Sequence, residues 1–266
     1  MTELLRTEAV SKHFGGLKAV DKVDLVVKKD KILGLIGPNG AGKTTLFNLL
    51  TGFYDITSGD VYFKGAKITN KSQQDIVERG ICRTFQKLRL FKNLSVMDNV
   101  LIGMHTQSKG TVMDALLQLP TIKAEEKRMR EKAMYYLDLL HLADKHAALS
   151  SSLSYGDQRR IEIARALAAE PELLLLDEPA AGMNLNEAGA LTDLIRWICD
   201  DLGKTILLIE HNMRVVMPVA DHVVVINQGR KIFEGTPEVV QGSNEVIEAY
   251  LGKAYLRYLE QEDAHA

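Results

Sequence analysis

The segment GPNGAGKTT, Gly37 to Thr45, narrows the possible folds more than any other part of the chain because of what flanks it. ILGLI before it is an unbroken apolar run that predicts a buried strand, and TTLFNLLTG after it predicts a helix. Strand, glycine turn and helix in that order predict an α/β fold whose sheet carries a ligand at its carboxyl edge. The segment also fits G-x-x-x-x-G-K-[ST], a pattern with a known mechanism. Glycines at 37, 40 and 42 free the backbone to wrap closely. The loop of Gly37, Pro38, Asn39, Gly40, Ala41, Gly42, Lys43, Thr44 and Thr45 can then turn its amides toward phosphate oxygens at a helix start. Lys43 adds a full positive charge, and the Thr44 hydroxyl suits the magnesium ion that accompanies the β and γ phosphates of a nucleotide.

The rest of the chain supports such a sheet. Val23, Leu25 and Val27 recur at every second position ahead of the KKDK turn, which, with ILGLI after it, predicts β-strands feeding the central sheet. GDVYFKGAKI predicts a hairpin with Val61 and Phe63 on one face. From about Val96 the periodicity becomes helical, with Met129, Ala133, Tyr136 and Leu140 recurring at helical spacing, and residues 88–153 are expected to form a helical insertion. ELLLLDEP, TILLIEH and DHVVVIN then follow as short apolar runs separated by helical patterns, the alternation of a parallel sheet with helices on its faces. The last stretch, KAYLRYLEQEDAHA, predicts a helix end fraying into a polar tail.

Composition removes several function classes. A chain of 266 residues, 46% hydrophobic, can bury the core of one large domain, with or without a sizeable insertion. A net charge of -2 gives no support to nucleic-acid or anionic-membrane binding. Cys82 and Cys199 lack metal-ligand spacing and are expected to be reduced, buried thiols. MTELLRTEAV has no basic region followed by an apolar core, and no later run reaches the roughly 18 apolar residues of a spanning helix, so membrane association is expected only through a partner.

Two further segments carry chemistry. In LLLLDEP an apolar strand ends in Asp177, placed to hold a metal ion, and Glu178, placed to accept a proton from the attacking water or to orient it. In LSYGDQRR, Ser154 is a good N-cap for a helix running through DQRRIEIARAL, a second helix start with donors for a phosphate. Taken alone, that segment reads as a plain helix cap.

Taken together, GPNGAGKTT, Gln86 in RTFQ, LSYGDQRR, LLLLDEP and His211 in LLIEH resemble, in order and spacing, the nucleotide-binding subunits of ATP-binding cassette (ABC) transporters, over essentially the whole chain. The resemblance implies an α/β P-loop NTPase core with a mostly parallel central sheet, an N-terminal antiparallel β subdomain and an inserted α-helical subdomain. Residues 1–252 would form a single ABC ATPase domain, with 1–87 and 154–252 as core and β subdomain, 88–153 as the insertion, and 253–266 as a tail. It also implies hydrolysis of ATP with Mg2+ in a head-to-tail dimer, where the signature of one subunit covers the γ-phosphate held by the other. Ser154, Tyr155 and Gly156 would act in trans. Phe14 would stack on adenine. Gln86 would sense metal and γ-phosphate, sharing the metal with Thr44 and Asp177 while its loop faces a membrane subunit. His211 would contact the γ-phosphate and steady the attacking water beside Glu178.

The chain departs from the family pattern at three places: Tyr155 replaces the first signature glycine, Asp157 stands where glutamine is usual, and Asn184 occupies the position of the usual aspartate after Glu178. Asparagine hydrogen-bonds but carries no charge. FGGLKAV, TGFYDITSG, RTFQKLRLF, EPAAGMN, LLIEHNM and AYLG look like the LivG type, the ATPases of bacterial high-affinity branched-chain amino acid importers. That likeness implies a second, similar or identical ABC ATPase subunit, two membrane permease subunits, a periplasmic binding protein met only indirectly, and a peripheral place on the cytoplasmic face of the inner membrane. ATPases for urea, short amides or lipopolysaccharide export share several of these phrases, and a soluble iron-sulfur assembly ATPase is a further alternative.

Overall fold

The computed structural model describes residues 2–104 and 120–251, so the expected terminal tail lies outside the described residues. In chain order the elements are β1 (Glu3–Phe14), β2 (Leu17–Lys28), β3 (Ile32–Ile36), α1 (Lys43–Leu50), β4 (Ser58–Phe63), β5 (Ala66–Lys67), α2 (Gln73–Glu78) and β6 (Ile81–Arg83). There follow α3 (Val96–Gly103), α4 (Pro120–Leu139), α5 (Tyr155–Ala168), β7 (Leu173–Asp177), α6 (Leu185–Asp200), β8 (Thr205–Ile209) and α7 (Met213–Val219). The chain continues through β9 (His222–Asn227), β10 (Arg230–Gly235), α8 (Pro237–Gln241) and α9 (Asn244–Leu251). Two compact units result, Met1–Ile76 with Leu175–Ala266, and Val77–Leu174.

The first unit contains two kinds of sheet. β1 and β2 pair antiparallel across the Gly15–Gly16 turn, from Phe14 opposite Leu17 to Glu3 opposite Lys28, and β4 joins the other side of β1 in a sheet ordered β2-β1-β4-β5. Val23, Leu25 and Val27 are buried while the residues between them are exposed. Of the strands expected to feed the central sheet, ILGLI does so as β3, while β1 and β2 form a sheet of their own, the N-terminal antiparallel β subdomain that the family resemblance implies. The physical reason is visible in their alternation, which suits an antiparallel sheet with one face in water, and in the short glycine turn, which makes local pairing inexpensive in loop entropy. The GDVYFKGAKI hairpin forms as β4 and β5, with Val61 and Phe63 both buried.

The second kind is the central sheet, ordered β10-β9-β3-β8-β7 within this unit. β3 runs parallel to β8 with Leu35 opposite Ile209, and parallel to β9 with Leu35 opposite Val224, while β10 closes the edge antiparallel to β9. Every residue of β3, β7 and β8 is buried, as a parallel sheet covered on both faces requires. Among the covering helices, α1 buries Leu46, Phe47, Leu49 and Leu50, and α6 buries Ala188, Leu191, Ile195, Ile198 and Cys199 at helical spacing.

The second unit is mainly helical. α3 is capped by Ser95, whose hydroxyl accepts from the Asp98 amide at 3.0 Å, and α4 turns Ala133, Tyr136 and Leu137 inward. α3 and α5 meet so closely at Gly103 that a side chain there would collide with the Arg165 carbonyl. β6 lies beside the chain entering β7, with the Glu172 and Leu173 amides both donating to the Gly80 carbonyl. Among the described residues no helix is long and apolar enough to cross a membrane.

Candidate nucleotide-binding and hydrolysis site

The loop between β3 and α1 has the shape its glycines predict. Gly37, Gly40 and Gly42 all have positive φ, and at Gly37 and Gly42 a side chain would strike the carbonyls of Ile226 and Ala19. Lys43, 5% exposed, folds back over the loop and donates to the carbonyls of Gly37 at 2.7 Å and Pro38 at 2.9 Å. Burial pulls its pKa below the ordinary lysine value, against the opposing attraction of Glu178 and Asp177. Thr44 and Thr45 follow in the first turn of α1.

A brace that sequence reasoning missed supports this loop. The turn between β9 and β10 places the Gly229 amide 2.9 Å from the Ala41 carbonyl, and the Gly229 carbonyl accepts from the Asp21 amide at 2.8 Å. Arg230 then bonds the Asp21 carboxylate from Nε at 2.9 Å, which holds that acid below the usual carboxylate range. The only local signal is the NQGR turn after an apolar strand.

At the carboxyl ends of β7 and β8 the acidic residues converge. Asp177 is fully buried, and Glu178, 9% exposed, sits in the left-handed region with φ 46°. The Glu178 amide donates to the Ile209 carbonyl at 2.9 Å, tying the turn to β8. His211 Nδ1 lies 3.6 Å from Glu178 Oε2, with the imidazole half exposed. Glu210, which sequence reasoning passed over, is completely buried; burial pushes its pKa up, while the Ala180 amide, donating at 2.9 Å, pulls the other way. The carboxylate oxygens of Asp177 and the hydroxyl oxygen of Thr44 are donors that suit a hard ion such as magnesium. Phe14, at the end of β1, is 44% exposed and meets Tyr54 edge-on at 5.4 Å, leaving ring surface open to solvent.

In the second unit, Gln86 is exposed on the loop after β6. Ser154 caps α5, its hydroxyl accepting from the Asp157 amide at 3.2 Å, and Tyr155 and Gly156 supply the first helical residues. The departures from the family pattern acquire partners. Asp157 is paired with Lys145 at 2.8 Å, and the Tyr155 hydroxyl accepts from Arg159 Nη2 at 3.1 Å. Arg159, fully buried, also bonds Glu162 at 2.7 Å, the Phe85 carbonyl at 2.7 Å and the Gln86 carbonyl at 2.9 Å. A charged i,i+3 pair among the buried isoleucines of α5 was the sequence signal for this network. In the first unit Asn184 completes a capping box with Glu187, each bond 3.0 Å.

A glycine loop ahead of a helix, a buried lysine folded across it and carboxylates at the edge of a mostly parallel sheet define a P-loop nucleotide-binding protein. Comparison with known proteins sharpens that class. The sequence model of the family described as ABC transporter matches residues 20–181, and that described as Branched-chain amino acid ATP-binding cassette transporter matches residues 230–255. The chain is 42% identical to the high-affinity branched-chain amino acid transport ATP-binding protein LivG of Escherichia coli, over 94% of this chain and 98% of that protein. It is 41% identical to the corresponding protein BraF of Pseudomonas aeruginosa over the same shares. A solved ATP-binding cassette of an ABC transporter in its ADP conformation superposes with a TM-score of 0.83 at 35% identity, covering 95% of this chain and all of that one. The chain belongs to the ATP-binding cassette family of ABC transporter subunits, whose activity is ATP hydrolysis.

Proposed function

We propose that this chain is the ATP-hydrolysing subunit of an importer for branched-chain amino acids. It would work as an ATP-sandwich dimer with a similar or identical cassette on two permease subunits at the cytoplasmic face of the inner membrane, with a periplasmic binding protein delivering cargo. The observation that carries this reading is the 42% identity to LivG along 94% of the chain.

Phe14 offers ring surface for adenine, and the amides of Gly37 to Thr45 take the phosphates. When phosphate oxygens enter, the Lys43 ammonium exchanges the Gly37 and Pro38 carbonyls for them, a trade favoured because burial has stripped the ammonium of water and anionic oxygens compensate its charge better than carbonyls do. Magnesium, when bound, neutralises developing phosphate charge; Thr44, Asp177 and Gln86 are the oxygens that would hold it. Glu178 takes the proton of the attacking water, and the nearby His211 orients the γ-phosphate side of the reaction. Ser154, Tyr155 and Gly156 close over the partner's nucleotide, so binding energy that exists only in the closed dimer drives closure.

Purification from the native membrane in mild detergent tests the assignment. A hydrophobic permease pair and a second cassette are expected, together with ATP hydrolysis stimulated by a binding protein carrying leucine, isoleucine or valine. Recovery of the chain free of permeases, or with a complex indifferent to those amino acids, would overturn it.

A further inference from the structure

We infer that Glu210 is a positioning residue for hydrolysis, holding the turn that aims Glu178 through the amide of Ala180. The inference rests on the reading of Glu178 as the base. Glu210 directly follows β8 and is completely buried. One of its oxygens accepts the Ala180 N–H at 2.9 Å. Glu178, two residues earlier in that turn, has a left-handed backbone at φ 46°, a conformation that persists in a non-glycine residue only where the surroundings over-determine it. Three bonds do so: Glu178 N–H to the Ile209 carbonyl at 2.9 Å, Ala181 N–H to the Glu178 carbonyl at 3.1 Å, and Ala180 N–H to Glu210. Of these only the last depends on a side chain.

The choice of side chain is itself informative. The Ala180 amide could be satisfied by serine, threonine or a backbone carbonyl at far lower desolvation cost than a buried carboxyl, whereas Glu210 also faces the Asn212 amide and His211. The second Glu210 oxygen is buried and stands 3.9 Å from His211 Nδ1, and the Asn212 backbone amide is a further group that favours the charged carboxyl. One carboxyl thus borders both groups assigned to hydrolysis, His211 on one side and the Glu178 turn on the other. Buried carboxyls with this kind of environment cluster at functional sites.

Glu210→Leu removes the acceptor, Glu210→Gln keeps it, and Glu210→Asp withdraws it by one methylene. In the complex with its partner subunits, Glu210→Leu is expected to slow single-turnover hydrolysis roughly 10- to 100-fold, the effect of misplacing a reacting group by about 1 Å. ADP and ATP affinities should stay near wild type, while the unfolding midpoint falls by the cost of one unsatisfied buried amide. Glu210→Gln should restore most of the rate, and Glu210→Asp should be slow; that pair decides the matter if the leucine variant fails to fold. Wild-type hydrolysis by Glu210→Leu, a glutamine variant as slow as leucine, or nucleotide affinity falling in step with rate would overturn the inference. Glu178→Gln, run alongside, separates the two failures: if it turns over normally, the reading of the base is wrong. If it is slow while Glu210→Leu is normal, only the role of Glu210 falls.

Discussion

Lys43 shows what a single residue contributes here. Its ammonium is held by the carbonyls of Gly37 and Pro38, so a nucleotide bound as proposed would replace hydrogen bonds already made and would not capture a bare charge. Charge-assisted bonds of this kind contribute about 1.5–3 kcal/mol, and Lys43→Ala is expected to weaken ATP binding about 10- to 100-fold by titration calorimetry. Glu178→Gln should slow hydrolysis by roughly 10² to 10⁴ and, with ATP and magnesium, shift the protein to a dimer on size exclusion. The glycines and the lysine were legible because their pattern is contiguous. Tyr155, Asp157 and Asn184 were not, because their partners Arg159, Lys145 and Glu187 are chosen by the folded loops and helix ends around them. Asp157, neutralised by Lys145, no longer presents an isolated negative charge at the signature.

Among the elements, α5 has the most consequential interior. Its Arg159 carries the backbone of Phe85 and Gln86, so the loop bearing Gln86 is fixed from the same helix that presents Tyr155. Breaking a buried ion pair from one side leaves a charge without compensation, and Arg159→Met is expected to destabilise the protein by about 3–5 kcal/mol in urea unfolding. Arg159→Met combined with Glu162→Leu should recover a substantial part of that loss, since both charges leave together. At α6 the loss is smaller: Asn184→Ala removes one arm of the capping box and should cost about 1 kcal/mol by the same measurement. Element type was readable where the pattern was strong: unbroken apolar runs gave the fully buried β3, β7 and β8, and apolar residues at every second position gave β2. Partner choice was not. The strands of the first hairpin found each other and β4, because alternation specifies a half-buried face without naming the strand beside it.

The whole molecule carries a set of acids kept neutral by burial. Cys199 is pushed up to about 11, and Tyr136 and Tyr250 to about 12, in each case chiefly by desolvation. The native state keeps these protons after the unfolded chain, with values near 9 for the thiol and 10 for the phenols, has lost its own. The native state therefore binds more protons across that window, and stability falls as pH rises from about 9 to about 12. Thermal unfolding followed across this range should show that decline, and Tyr250→Phe should flatten it; a midpoint insensitive to alkali would contradict the burial of these groups.

The phosphate loop, the acidic strand end, the helical middle and the family likeness were determined by the sequence itself, since each depends on a few contiguous residues or on periodicity within one element. Tertiary structure alone decided that Gly229 braces Ala41, that Asp21 is held by Arg230, 209 residues away, that Arg159 holds the loop of Gln86, and that Glu210 holds the turn after Glu178. Apolar burial is non-directional and leaves its trace in composition and spacing. Polar pairing needs a donor and an acceptor within about 3 Å at a favourable angle. Which distant residues meet that condition is fixed only after the core has closed.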